Sequence, residues 1–299
     1  MNKLEEIIEA VNSNMDQPIS IHLDEEGLSY TYQVSSTIKD YYPEISIIAE
    51  RGYNAKYNRV LDIKKILQTN ISRTWLRVKS NDEDLVQASL EYIKDNVTIQ
   101  KLNMVRLNNS QIKELFEAIK QNTNLYELCL RRCNIGRDEA TSITNSLKDS
   151  SLKELDLEYN KFTSEGIMTL ANCLKSNKTL TALDLSHTNA FTSEVERAFI
   201  EILICNTSLI RIGMSYSNID YISKHLIQDL LKINKQTKFI KDKLSDKIAK
   251  AKLYNYNIID KQSLLDDANL QKDYHLEDHS SLVIINHGLI GSNAGSPDG

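Results

Sequence analysis

Between residues 151 and 189 the stretch SLKELDLEYNKFTSEGIMTLANCLKSNKTLTALDLSHTN repeats itself. Leu152, Leu155 and Leu157 with Asn160 return as Leu180, Leu183 and Leu185 with Thr188. A chain that echoes itself over such a span grows by adding units, not by wrapping one core. If the first leucine of L-x-x-L-x-L-x-x-[NC]-x-[LI] is position one, units begin at Leu125, Leu152, Leu180 and Leu209, in steps of 27 to 29 residues. Backward, Ile99 (with Leu102 and Met104) and Ile71 (with Leu76) keep the period, and Tyr42 (Ile45, Ile47) and Pro18 (Ile21, Leu23) keep it loosely. The count reaches eight units, of which the six from Ile71 onward keep the period.

Inside a unit the apolar period changes. Alternation at Leu155 and Leu157 predicts a short strand, and the spacing of Ile167, Leu170, Ala171 and Leu174 predicts a helix. One strand, turn and helix cannot bury its apolar face alone. Neighbouring units must stack, giving an α/β solenoid with a curved parallel sheet on the concave side and helices on the convex side.

These motifs, with the recurring QNTNL, SNKTL and CNTSL, make residues 99–219 resemble leucine-rich repeats of the long, ribonuclease-inhibitor-like type. Similar repeats occur in tropomodulins, Ran GTPase activators, NOD-like receptors and effectors of intracellular bacteria. The resemblance implies a protein-binding array without catalytic residues or cofactor. It also implies alternatives: regulation of a small GTPase, as by Ran GTPase activators, or of actin filament ends, as by tropomodulins. Nine glycines, three prolines and abundant Ile, Lys and Asn fit an AT-rich genome, so a translocated bacterial effector is the first form of the reading.

The ends depart from the pattern. Position nine, where a side chain satisfies backbone groups leaving the strand, is filled suitably by Cys133, Asn160, Thr188 and Ser217 but not by Glu26, Glu50, Lys79 or Leu107. Residues 1–70 are therefore read as a cap plus degenerate repeats, and residues 71–233 as the repeat array. A solenoid must close its open apolar ends. Leu4, Ile7, Ile8 and Val11 suit an N-terminal capping helix. Residues 234–253 read as a basic C-terminal capping helix whose lysines face water, the alternative being docking on an anionic membrane or partner. Residues 254–299 read as an acidic tail ending in the turn-rich GSNAGSPDG.

Totals exclude several classes. A net charge of −5 argues against general nucleic-acid binding, which needs a strongly basic surface. No stretch approaches the ~18 apolar residues of a membrane span, and the N-terminus interleaves Glu5, Glu6 and Glu9 with its apolar residues, unlike a cleavable signal peptide. The expectation is a cytoplasmic monomer, or a protein exported into a host cell without such a signal. Cys129, Cys133, Cys173 and Cys205 have neither zinc nor redox spacing and read as free thiols.

Three clusters invite chemistry. Asp273, His275, Glu277, Asp278 and His279 are ligand types zinc accepts, yet an acidic tail produces such clusters readily, and no metal site is assigned. HGLIGSNAG lacks the Lys-Ser/Thr and the following helix that a phosphate loop requires. Cys129 with His187 as base would lie two strands apart, roughly 9–10 Å.

Function is expected on the concave face instead. Positions three, five, seven and eight supply Trp75, Arg77, Lys101, Arg106, Arg131, Arg132, Glu154, Asp156, Glu158, Tyr159, Asp184, His187 and Tyr216 as partner-binding candidates. They read as a polarised face, basic with the sole tryptophan at one end and acidic beyond Arg132. Like charges on adjacent strands cost stability, which a partner of opposite polarity would relieve.

Overall fold

The computed structural model describes residues 3–13, 17–24, 27–32, 44–49, 57–69, 74–120, 122–148, 150–236 and 240–254. A helix, α1 (Lys3–Ser13), precedes the hairpin of β1 (Ile19–Asp24) and β2 (Gly27–Tyr32), followed by β3 (Glu44–Ala49). Helix and strand then alternate: α2 (Tyr57–Thr69), β4 (Trp75–Lys79), α3 (Glu83–Asp95), β5 (Lys101–Val105), α4 (Asn109–Ile119), β6 (Glu127–Cys129), α5 (Arg137–Leu147), β7 (Glu154–Asp156), α6 (Ser164–Ser176), β8 (Ala182–Asp184), α7 (Ser193–Cys205) and β9 (Arg211–Gly213). Two helices, α8 (Tyr221–Gln236) and α9 (Ile240–Leu253), close the described chain. The strands form one sheet in the order β2-β1-β3-β4-β5-β6-β7-β8-β9, parallel throughout except for the β1–β2 hairpin. This is the α/β solenoid the repeat predicts.

One continuous apolar core lies between sheet and helices. Leu128, Leu155, Leu183 and Ile212 stand side by side in adjacent strands, and Ile143, Ile167, Leu170 and Phe199 meet them from the helices. Four helices start where a short polar side chain takes up an orphan amide: Asp82 for α3, Asn108 for α4, Thr163 for α6 and Thr192 for α7.

The asparagines of QNTNL, SNKTL and CNTSL explain why that stretch recurs. Asn122 Oδ1 accepts from the amides of Asn124 and Leu125, both at 2.9 Å, while its Nδ2 donates back to the Asn96 carbonyl at 3.1 Å. Asn177 and Asn206 do the same in later units, Asn206 Nδ2 reaching the carbonyls of Leu174 and Asn177. Each such side chain closes its own turn and ties it to the previous unit. Asn160 does so at position nine. Its Oδ1 accepts from Cys133 and Ile135, and its Nδ2 donates to Leu130 and Leu157. Thr188, in the equivalent place, is buried and its hydroxyl has no partner among the described residues.

Two units sit two residues away from their predicted register. Leu76 pairs with Leu102 and Val78 with Met104, so the unit assigned to Ile71 is displaced. Ile19 aligns with Ile45 and Ile21 with Ile47, so the unit assigned to Pro18 is displaced likewise. Side chains alternate with period two, hence the same residues still face the concave side. Lys79 becomes the third outward residue of its strand, after Trp75 and Arg77.

The basic C-terminal stretch is corrected more sharply. Lys247 does not face water. It is fully buried, and its Nζ donates to the Asn206 carbonyl at the end of α7, 2.7 Å away. Lys250 pairs with Asp229 of α8 at 3.1 Å, and Tyr254 donates its hydroxyl to the same carboxylate. Ile248 and Ala251 enter the core beside them. A cation at a helix C-terminus meets both the unsatisfied carbonyls and the negative end of the dipole.

Candidate protein-binding face

The concave face is a shallow hollow of about 360 Å³ bordered by Trp75, Arg77, Arg131, Asp156, Asp184 and Arg211. Its charges are not segregated as expected, because they pair across strands. Lys101 Nζ lies 2.7 Å from Glu127, and Arg131 Nε lies 2.6 Å from Asp156 and 3.1 Å from Glu158. Arg211 reaches across β8 to Glu154 at 2.9 Å. Glu127 and Glu154 do abut, as do Asp156 and Asp184, but basic side chains span the first pair from both sides and hold Asp156 in the second. The relief assigned to a partner is thus partly supplied within the chain.

At the other end Trp75 lies under two cations, with the Arg77 guanidinium 5.2 Å and the Lys101 ammonium 5.3 Å from its ring. Arg77 is anchored by Glu44 at 3.2 Å. That carboxylate, 3% exposed and accepting a short hydrogen bond from Ser46, comes from β3. Sequence reasoning missed it because β3 belongs to the irregular units. Arg211 and Glu127 were visible as outward residues but carried no signal of their cross-strand role.

Position eight behaves differently from the rest of the face. Arg106, Arg132, Tyr159, His187 and Tyr216 all have positive φ, between 53° and 62°. Bulky residues seldom enter this region, and each costs about 1 kcal/mol or more. Their backbones are held there by the ladder: the amides of Arg132, Tyr159 and His187 donate to the carbonyls of Glu158, Ser186 and Ser215 in the next unit. The side chains then stand above one another at the strand spacing. The Arg132 guanidinium lies 4.6 Å from the Tyr159 ring, Tyr159 and His187 stack at 3.9 Å and 14°, and His187 and Tyr216 at 4.5 Å and 17°. Four of the predicted residues thereby form one column along the rim, and Arg106 stands apart from it, exposed.

The surroundings of Cys129 disfavour the thiolate a nucleophile needs. Burial, reinforced by the Asp156 carboxylate, pushes its thiol up to about 12, and His187 is occupied by its two tyrosine neighbours. Among the described residues no group of three or more His, Cys, Asp or Glu is placed to hold a metal. No described helix is long and apolar enough to cross a membrane. The DYHLEDH and HGLIGSNAG stretches lie outside the described residues.

A family model, the TMOD/LMOD leucine-rich domain, matches residues 67–237, which is more than half of the chain and includes every strand from β4 to β9. The chain belongs to that family. Human tropomodulin-4 is 29% identical over 151 residues, 50% of this chain and 41% of the relative. Mouse leiomodin-3 is 28% identical over 165 residues, 52% of this chain and 28% of the relative. Among solved structures, leiomodin-1 actin-binding site 2 superposes with a TM-score of 0.42 at 20% identity, covering 56% of this chain and 91% of that one. The chain covers less than half the length of the curated relatives it matches. These relatives are animal proteins and lend the bacterial-effector expectation no support. The TMOD/LMOD match also covers the face just described, from Trp75 through Tyr216.

Proposed function

We propose that this chain binds actin and regulates filament ends through its concave face and the rim column. The observation that carries the reading is the TMOD/LMOD match over residues 67–237, because tropomodulins are the relatives whose resemblance implied this activity from sequence. The face itself supports a protein rather than a small molecule. It is shallow, carries both signs of charge, and concentrates Trp, Tyr and Arg, the residue types that dominate protein interfaces. The proposal concerns the leucine-rich domain alone, since most of the curated relatives' length lies outside the match. No observation favours the small-GTPase alternative over it.

The test is elongation of labelled actin from filament seeds with each end blocked in turn. The full chain should slow growth at one end in a saturable way. Trp75→Ala and Asp156→Lys should each weaken the effect at least tenfold. No effect at either end, with no co-sedimentation on filaments, overturns the actin reading. Full effect in both variants moves the site off the concave face.

A further inference from the structure

The ion pairs of the concave face leave one acid over. Along the middle row of outward residues Cys129, Asp156, Asp184 and Gly213 stand side by side on β6 to β9. Both oxygens of Asp156 are engaged: Oδ1 accepts from the Glu158 amide at 3.0 Å, and Oδ2 accepts from Arg131 Nε at 2.6 Å. Asp184 repeats only half of this. Its Oδ1 accepts from the Ser186 amide at 2.8 Å, and among the described residues no cation pairs with its carboxylate. Lys101 is committed to Glu127, Arg131 to Asp156 and Glu158, and Arg211 to Glu154. Because Asp156 and Asp184 are paired in register, the uncompensated second charge destabilises the unbound chain.

The sheet around Asp184 is built low. A β-carbon on Gly213 would fall between 2.2 and 2.5 Å from the Asp184 carboxylate, so that group lies in the volume a side chain of β9 would otherwise fill. Ala182 and Ser186 flank Asp184 on the same face of its own strand, and Ser215 follows Gly213 on that face. None of them is long enough to cover a carboxylate, and Asp184 is half-buried at the border of the hollow. Arg211 is the nearest long side chain along β9, but it runs in the neighbouring row to Glu154. Its side chain is 58% exposed and that of Glu154 45%, and an exposed pair of this kind holds by no more than about 1 kcal/mol.

The ring column points to the same chemistry from the rim. The Arg132 guanidinium lies over one end of it, 4.6 Å from the Tyr159 ring. At the other end Tyr216 stacks on His187 and is 80% exposed, leaving aromatic surface of the kind a cation covers. Tyr216 directly follows Ser215 in the chain. We propose that this end of the concave face receives a basic segment of the protein partner, one arginine or lysine lying over Gly213 to pair with Asp184 and another against the Tyr216 ring. The incoming cation does for Asp184 what Arg131 does for Asp156, so repulsion carried by the free chain is relieved only in the complex. The proposal rests on the concave face being a protein-docking surface, and it adds the sign of the partner's charge.

Labelled hexa-arginine, titrated into the full chain at low ionic strength and followed by fluorescence anisotropy, tests the site with a probe of the stated chemistry. The unmodified chain should bind it saturably. Asp184→Asn keeps an oxygen to accept from the Ser186 amide and removes the charge, so it should weaken binding about tenfold while the urea midpoint holds or rises. Glu165→Gln, the same change of charge at an exposed position on α6, should weaken it less than about twofold. Equal losses in the two variants overturn the proposal, as does the absence of saturable binding. A urea midpoint that falls in Asp184→Asn would make the residue structural and likewise overturn it. Tyr216→Leu should weaken binding about threefold, and an unchanged affinity refutes the placement of the second cation. Actin elongation separates this proposal from the reading beneath it. An effect lost in Asp156→Lys but kept in Asp184→Asn overturns the basic segment and spares the face. A chain inert on filaments that still binds hexa-arginine through Asp184 overturns actin as the partner and supports the basic segment.

Discussion

Asn160 illustrates how much one side chain does in a repeat turn. Its four hydrogen bonds serve Cys133 and Ile135 of the preceding unit as well as Leu130 and Leu157. Removing it leaves buried backbone groups unpaired, each costing about 1–3 kcal/mol. Asn160→Ala should therefore lower stability by about 3 kcal/mol or more, read from urea unfolding. This residue was legible in the sequence, because an amide at position nine can both accept and donate in that turn. Gly213 was not. A β-carbon there would fall 2.2 Å from Asp184 Oδ1, the oxygen that accepts from the Ser186 amide at 2.8 Å. Gly213→Ala should displace the carboxylate and cost about 1–2 kcal/mol, whereas Gly213→Ala with Asp184→Ala should cost less than the two changes summed. The positive φ of position eight was equally invisible, since nothing in a tyrosine or arginine announces it. The conformation is imposed by the next strand's carbonyls.

At the scale of elements, α9 shows how a lysine-rich helix becomes a cap. Its lysines predicted a solvated face, yet Lys247 is directed at the end of α7 and Lys250 at Asp229. The Asp229 carboxyl is held below its ordinary range: burial opposes this, but hydrogen bonds from Lys232, Lys250 and Tyr254 outweigh it. A carboxyl so held favours the docked state above its unfolded value and loses that contribution as pH falls through the lower folded value. Amide exchange at Ala251 should accelerate selectively as pH drops below about 4. Asp229→Asn should show loosened α9 already at pH 6, with a cost of no more than about 1 kcal/mol because the pair is partly solvated. Periodicity could place the helix but not its partner, since docking depends on where α7 and α8 end in space.

The whole molecule is a stack in which each unit leans chiefly on its neighbours, so damage should spread from the site of a lesion. Leu155 is buried at the centre, paired with Leu128 and Leu183. Leu155→Ala should cost about 2–5 kcal/mol. Exchange should accelerate most in β6, β7 and β8 and least at β1 and β3, a gradient that mass-resolved exchange would display. A uniform acceleration would instead mark the array as one all-or-none unit. At this scale, too, most charges of the concave face are paired, because Lys101, Arg131 and Arg211 each reach an acid on another strand.

Local, covalent regularity carried the repeat, the strand and helix of each unit, and the parity that turns Trp75, Arg77, Glu154 and Asp156 outward. Parity survived even where register moved by two residues, because period two is indifferent to an even shift. The cross-strand ion pairs, the ring column of Arg132, Tyr159, His187 and Tyr216 and the burial of Lys247 were decided only in three dimensions. Each depends on which residue of a neighbouring unit stands within a few ångströms. That distance is set by the stacking of whole units, which no single unit's pattern encodes.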